Sequence, residues 1–524
     1  MIGQEKPFNP KLFYGFNLES RVRQDHPLRK LKGILNLDFV RAAVKSRYGA
    51  NGNVSVPPAV LLKMMLLLVM YNVRSERELM ATIPERLDWL WFLGYDLDDC
   101  VPHHSVLSKA RKRWGVDVFE ALFARVVRMA VETGLVDGRK IFVDASLVEA
   151  DASNDSVKSI TDLQLAEAHA RLVERLEERE KIYKGPYSEA NKTRVSTTDG
   201  DATLARAKGE SDLMYKVHRA VEGETEIITA CTVTTGATNE AHELKDLIRK
   251  HEGTVGDAVE VVVADTKYGI IENYAELKQD GIATHLKNLA ETRKDIGLFG
   301  KEDFQYDPER DAYLCPAGHF LRKQAYDADR KWVVYKASPK ACRACPLRDR
   351  CTKNKGGRTV HRYLDEELIE AGRKDAQSPQ AQLDYKTRQH LMERSFATAK
   401  RYGYKRARWR GLWRVTIQQL LIATMQNLMK ILTHVFPKQI SATAAIHVVH
   451  NCAWSLILCF WKALRRLVRP LSPEPKTFRP FSHASVCIFQ TGFGQQTLKI
   501  QDLTPIPTRP QFPPMFSFAL FHTS

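Results

Sequence analysis

An ordered run of short apolar segments constrains this chain more than any other feature. Gly138 to Asp144, closing on KIFVD, reads as a strand. A highly charged helix over 165–180 follows, and then Met214–Val221 and Glu226–Thr234 pair as a hairpin across EGET. A helix over 240–250, a strand over 259–264, a helix over 271–279 and a strand over 282–287 come next. Strand, hairpin, helix, strand, helix, strand supplies five strands interleaved with helices, which predicts an α/β fold. Residues 185–210 carry Ser, Thr, Gly and Lys without an apolar period, which predicts a mobile, irregular connection.

Two of these strands close on an aspartate, Asp144 in KIFVDAS and Asp265 in VEVVVADTKYG. A carboxylate at the carboxyl end of a strand faces the crevice in which α/β sheets take ligands. One such Asp is ordinarily a turn residue. Two of them, with Glu393 in the basic helical stretch HLMERSFATAKRYGYKRARWRGL, form a candidate three-carboxylate metal site. Magnesium is hard, prefers carboxylate oxygen and keeps several waters, and paired ions of this kind serve phosphoryl transfer. Glu149, Asp151 and Asp155 fall in a polar loop and read as solvated, and His218 reads as a satisfied sheet histidine.

The 524 residues suffice for two to four domains, and a formal charge of +17 points to a polyanionic partner, nucleic acid first. The N-terminus MIGQEKPFNPKLFYG has no basic region followed by an apolar stretch, so the chain is expected in the cytoplasm, associated with the nucleoid. Residues 56–71 contain Lys63 and open with Pro57-Pro58, which predicts a buried core helix rather than a membrane span. Residues 444–461 carry His447, His450 and Asn451, which are costly in lipid, so no membrane partner is expected.

From 36 to 135 the pattern is helical, with Leu61, Met64, Met65 and Leu68 on one face. SVLSKARKRWG is a short helix with Lys109, Arg111, Lys112 and Arg113 on or near one side. It resembles the recognition helix of a helix-turn-helix unit, and it also fits an ordinary solvated face. Four of the nine cysteines cluster as LCPAGH…ACRACPLRDRC: Cys315, Cys342, Cys345 and Cys351. Four thiolates complete a tetrahedral zinc site, and the same set also suits a four-cysteine iron–sulfur cluster or no metal at all. Ten of the 23 prolines fall after Phe436, which predicts a poorly ordered extension.

FVDAS with Asp144, YKVHRAV from Tyr215, VVVADTKYG with Asp265 and ERSFATAKRYGYKRARWRGL with Glu393 resemble the insertion-sequence DDE transposases over residues 15–435. The resemblance implies a ribonuclease H-like catalytic core, a mixed five-stranded sheet with helices on both faces, with Mg²⁺ (or Mn²⁺) held by Asp144, Asp265 and Glu393. It also implies cleavage at element ends and joining of 3′-hydroxyls to target DNA, by a homodimer on terminal inverted repeats. The family's last motif places a Tyr and an Arg before the Glu and a Lys seven after it. Tyr385, Arg388 and Lys400 are the matching residues, Arg388 lying five before Glu393 where the common pattern has four. Lys400 is a catalytic candidate, and Arg388, Lys405, Arg406, Arg408 and Arg410 are DNA-binding candidates. DTKYG departs from relatives that have Gly immediately before Tyr. The implied organisation is a helical DNA-binding part over 1–135, a catalytic core over 136–290, an inserted cysteine-rich subdomain over 291–375, final core helices over 376–435 and the extension over 436–524. A ribonuclease H-like nuclease that cuts without joining, and a DNA-binding protein without catalysis, are the rival readings.

Overall fold

The computed structural model describes residues 15–49, 54–159, 166–177, 186–207, 209–286, 297–328 and 332–437. The apolar stretch 444–461 and the extension from 438 onward lie outside the described residues.

The N-terminal part is helical. Helix α1 (Pro58–Met70) starts at a proline, whose missing N–H is unused there, and buries Leu61, Leu62 and residues 64–69 on all sides. Lys63, the charged interruption, lies with its amine 5.4 Å from the Phe92 ring, and burial lowers its pKa. No helix among the described residues is long and apolar enough to cross a membrane. Helices α2 (Ser105–Trp114) and α3 (Asp117–Glu132) follow.

Strand β1 (Lys140–Glu149) is the axis of a six-stranded sheet. After the small pair β2 (Val157–Ser159) and β3 (Arg194–Ser196) come β4 (Thr203–Ala207), the long β5 (Glu210–Glu222) and β6 (Ile228–Thr235). Helix α4 (Leu244–Val255), β7 (Val261–Ala264), α5 (Ile271–Gln279) and β8 (Ala283–Leu286) complete the run. The order across the sheet is β6-β5-β1-β7-β8, with β4 also on β5. β5 is antiparallel to β1 and to β6, whereas β7 is parallel to β1 and to β8. The segment expected to be irregular is instead structured, as a helix over Pro186–Thr193 followed by β3 and β4. Polar bonds hold it rather than an apolar face: the Asn191 side chain donates to Leu204 O and accepts from Leu204 N, at 3.0 and 2.9 Å.

A second sheet follows, an antiparallel meander of β9 (Gln305–Asp307), β10 (Ala312–Leu314), β11 (Phe320–Asp327), β12 (Trp332–Ala337) and β13 (Thr359–Tyr363). Helices α6 (Glu366–Ala376), α7 (Pro379–Lys400) and α8 (Leu412–Val435) return to the large sheet. Strand alternation sorts the cores. Ile141, Val143, Val262 and Ala264 pack with residues of α4, α5 and α6, while Phe142, Val263, Tyr215 and Val217 pack with α7, α8 and the N-terminal helices. Helix α8 touches both α1 and α3, so the N-terminal helices and the end of the described chain share one core.

Candidate active site

The parallel ladder between β1 and β7 runs from Lys140 beside Val261 to Phe142 beside Val263. Carried two residues further, that register sets Asp144 beside Asp265. Asp144 does not end its strand, as the sequence suggests. β1 continues against β5 from Asp144 opposite Arg219 to Glu149 opposite Met214, while β7 stops at Ala264. The crevice opens where β7 turns away into a 3₁₀ turn over Thr266–Tyr268, capped by Asp265, whose carboxylate accepts the Lys267 N–H at 3.0 Å. By alternation Asp144 and Asp265 share the face of Phe142 and Val263, and α7 lies on that face.

Burial pushes the Asp144 carboxyl up to about 6, against the opposing pull of Arg388 and of the Ala145 N–H, and the nearby charges of Asp265 and Glu240 push the same way as burial. Arg388 Nη1 stands 3.0 Å from Asp144 Oδ2, and Ala145 N donates to Oδ1 at 2.8 Å. Glu240, buried, is held by Lys267 Nζ at 2.8 Å and Lys216 Nζ at 3.6 Å. Burial raises the Tyr268 phenol, reinforced by Glu240, Asp144 and Asp265, and among the described residues its hydroxyl has no hydrogen-bond partner. Sequence reasoning missed Glu240, Lys216, Lys267 and Tyr268 as members of this crevice. The last two adjoin Asp265 in DTKYG; Glu240, in the polar run TNEAHELK, carries no distinguishing signal.

Helix α7 is pinned across the ends of the parallel strands. Asp384, buried, takes Lys140 Nζ at 3.1 Å and His285 Nδ1 at 2.7 Å, joining the start of β1, the end of β8 and the helix. One turn on, Arg388 meets Asp144. Glu393 lies on the exposed flank of α7, its carboxylate 3.4 Å from Gln389 Nε2, and Lys400, two turns later on the same flank, is exposed as well. Among the described residues no three His, Cys, Asp or Glu side chains converge to hold a metal. The fold therefore brings Asp144 and Asp265 to one crevice and sets Glu393 on the helix that crosses it, without closing the trio.

Two family models match the chain, a transposase domain (DUF772) over residues 16–113 and a transposase DDE domain over residues 314–432. Both matched regions are transposase domains, and together they support an insertion-sequence DDE transposase. The second match spans the meander from β10, the helix with Glu393 and Lys400, and most of α8; Asp144 and Asp265 lie outside both matches. No curated protein and no solved structure matches the transposase.

The basic residues of the transposase divide by burial. On α2, Lys109, Lys112 and Arg113 are exposed, Arg113 lying over the Tyr48 ring at 4.4 Å. Arg111 is only 2% exposed: it pairs with Glu76, and its guanidinium covers the Trp409 ring at 3.8 Å. It is therefore a bolt between the N-terminal helices and the segment after α7, not a groove contact. Arg408 does the same work, donating to Val73 O and Asn72 Oδ1. Lys405, Arg406 and Arg410 remain exposed and face the acidic end of β1, with Lys405 3.7 Å from Glu149 and Arg406 and Arg410 3.4 and 3.2 Å from Asp151. Such exposed pairs are weak, so a phosphate backbone competes for these side chains readily. Cys315, Cys342, Cys345 and Cys351 are free thiols that line one pocket at an end of the meander, away from the aspartates.

Proposed function

We propose that the transposase cuts phosphodiester bonds at the ends of its element and joins the freed 3′-hydroxyls to target DNA. Asp144, Asp265 and Glu393 are the proposed carboxylates around Mg²⁺ or Mn²⁺ on a ribonuclease H-like core. The observation that carries this is the parallel β1–β7 register, which, carried two residues past Phe142 and Val263, sets Asp144 beside Asp265 on the face crossed by the Glu393 helix. The strand order β6-β5-β1-β7-β8, antiparallel in its first half and parallel in its second, supports the core assignment.

The residues present fit a hard divalent cation. Both aspartates offer carboxylate oxygens, burial and acidic neighbours raise the Asp144 carboxyl to about 6, and the buried Tyr268 hydroxyl beside them has no hydrogen-bond partner among the described residues. When bound, such ions make a nucleophilic oxygen available near neutral pH and neutralise the leaving oxygen. The chain supplies the rest. Asp144 must lose its proton to bind, which the guanidinium of Arg388 favours. Glu393 adds the third carboxylate from its helix, and the Asp384 pin fixes that helix against β1 and β8. Lys400, Lys405, Arg406 and Arg410 hold the strand ends by phosphate pairing, and Lys109, Lys112 and Arg113 contact flanking duplex. Water and then a 3′-hydroxyl attack in line, so no protein nucleophile is needed. Two ends must be held together, so the active form is a homodimer.

The test is metal-dependent strand transfer on DNA carrying the cognate ends. Asp144→Ala, Asp265→Ala and Glu393→Ala should each lose about 10²–10³-fold or more. Full activity in any one removes that residue from the trio, and products that are cut but never joined would favour a simple nuclease.

A further inference from the structure

We propose that Cys315, Cys342, Cys345 and Cys351 bind one structural zinc ion that closes the end of the small sheet. The sheet register brings the ligands together from two directions. Leu314 pairs with Phe320 and Leu321 with Ala337, so the β10–β11 turn and the departure of the chain from β12 lie at the same end of the meander. Cys315 is the first residue of that turn. Cys342, Cys345 and Cys351 occupy the crossover from β12 to β13, on the helices Pro339–Arg343 and Arg348–Cys351 and the turn between them.

The turn is shaped for a thiolate. Gly318 stands at φ +77°, which lets the chain fold back so that His319 N donates to Cys315 Sγ at 3.3 Å while Cys315 N donates to His319 O at 2.9 Å. On the other side, Gly357 at φ +91° packs against Cys342: a Cβ there would stand 3.5 Å from its sulfur and 2.9 Å from Ala337 O. All four cysteines line one pocket with Phe299, Leu321, Ala337 and Leu347, an apolar setting that suits a closed thiolate site. As placed they surround the pocket without meeting at coordination distance, so binding would draw them inward. The meander needs such a clamp. Among the described residues its core has only Phe304, Tyr313, Leu321, Tyr335, Ala337 and Val360 fully buried, and cores this small are ordinarily completed by disulfides or metal.

The test uses the full chain, purified without chelator, with metal content read by plasma mass spectrometry. One zinc per chain is expected, falling below about a tenth in Cys315→Ser and Cys345→Ser. Cys100→Ser, which alters an exposed thiol outside the cluster, and Asp144→Ala should both keep the zinc, the latter separating this site from the proposed catalytic one. Should the cluster variants fail to fold, the wild-type chain still decides. A mercurial reagent should release zinc in step with thiol titration, and cobalt loading should give the charge-transfer band of a tetrahedral thiolate site. A zinc-free chain, iron in zinc's place, or zinc retained in Cys345→Ser would each overturn the proposal.

Discussion

The two sheets of this transposase are stabilised by different means. The large sheet is covered on both faces, one apolar cluster drawn from helices before and after it in sequence and the other from helices between its strands and just after it. The small one has a single thin core, with its thiols gathered at one end. A covered sheet can tolerate ionic groups at its crevice because burial elsewhere outweighs their cost, whereas a sheet without that reserve depends on local devices. Buried charge in the large sheet is therefore expected to fix the position of catalytic elements, and special backbone and thiols in the small sheet to fix its fold.

The largest effect expected from breaking that division is at Asp384. Asp384→Ala leaves His285 and the partly buried Lys140 amine without their carboxylate, a loss of about 3–5 kcal/mol measurable by denaturant unfolding. Strand transfer should fall as well, because α7 carries the proposed third carboxylate, Glu393, while the zinc proposed for the cysteine cluster should be retained. Unchanged stability would show that the pin is dispensable and that packing alone holds the helix.

Next come the arginines of the helical part, where the comparison is between neighbours. Arg111→Ala removes a buried partner of Glu76 and the cover of Trp409, and should cost about 2–4 kcal/mol with a lower melting temperature. Lys112→Ala, one residue on and exposed, should leave melting unchanged and reduce the salt dependence of DNA binding by about one phosphate contact. The reverse pattern would move Arg111 to the DNA surface.

These two cases show what was legible in the sequence. Strand and helix alternation exposes the large sheet because period and turn residues are local signals, and Asp144 and Asp265 stand out by ending the apolar runs. Arg111 reads as one member of a basic face, since nothing local marks which of four successive charges will meet Glu76 and Trp409. Asp384 and Glu240 were illegible for the same reason: their partners, Lys140, His285, Lys216 and Lys267, are distant in the chain and meet them only after the sheet forms. The stretch 185–210 misled because its order comes from side-chain bonds such as Asn191 to Leu204, which have no periodicity.

A smaller effect is expected in the small sheet. Gly357→Ala forces an L side chain into φ +91° against Ala337 O, a strain of about 1–2 kcal/mol. Hydrogen exchange should quicken in β12 and β13 and stay unchanged in β1, β5 and β7. Loss of protection spread over both sheets would mean that the two fold as one cooperative unit.

The finest test separates two buried titrating groups of the large sheet, whose contributions have opposite signs. His251 is buried between the Thr229 hydroxyl, 2.7 Å from Nδ1, and Gly138 O, 2.8 Å from Nε2, and burial lowers its pKa. Its neutral form is the folded form, so its contribution is complete above the ordinary histidine value of about 6.5 and is lost as pH falls below it, when the unfolded chain takes up the proton first. Asp144 runs the other way. Its carboxyl is raised to about 6 in the fold, so the folded chain keeps a proton that the unfolded chain has released, and stability falls as pH rises from about 4 to about 6. Each slope is bounded at about 1.4 kcal/mol per pH unit. In the wild type the two oppose one another below about pH 6. His251→Gln should unmask the fall with rising pH, and Asp144→Asn the fall with acidification, both read from denaturant midpoints across that window. At the proposed metal site magnesium would bind only the ionised Asp144, so adding it should flatten the His251→Gln profile and leave that of Asp144→Asn unmoved. Identical profiles with and without the ion would take Asp144 out of the metal site while leaving its burial intact.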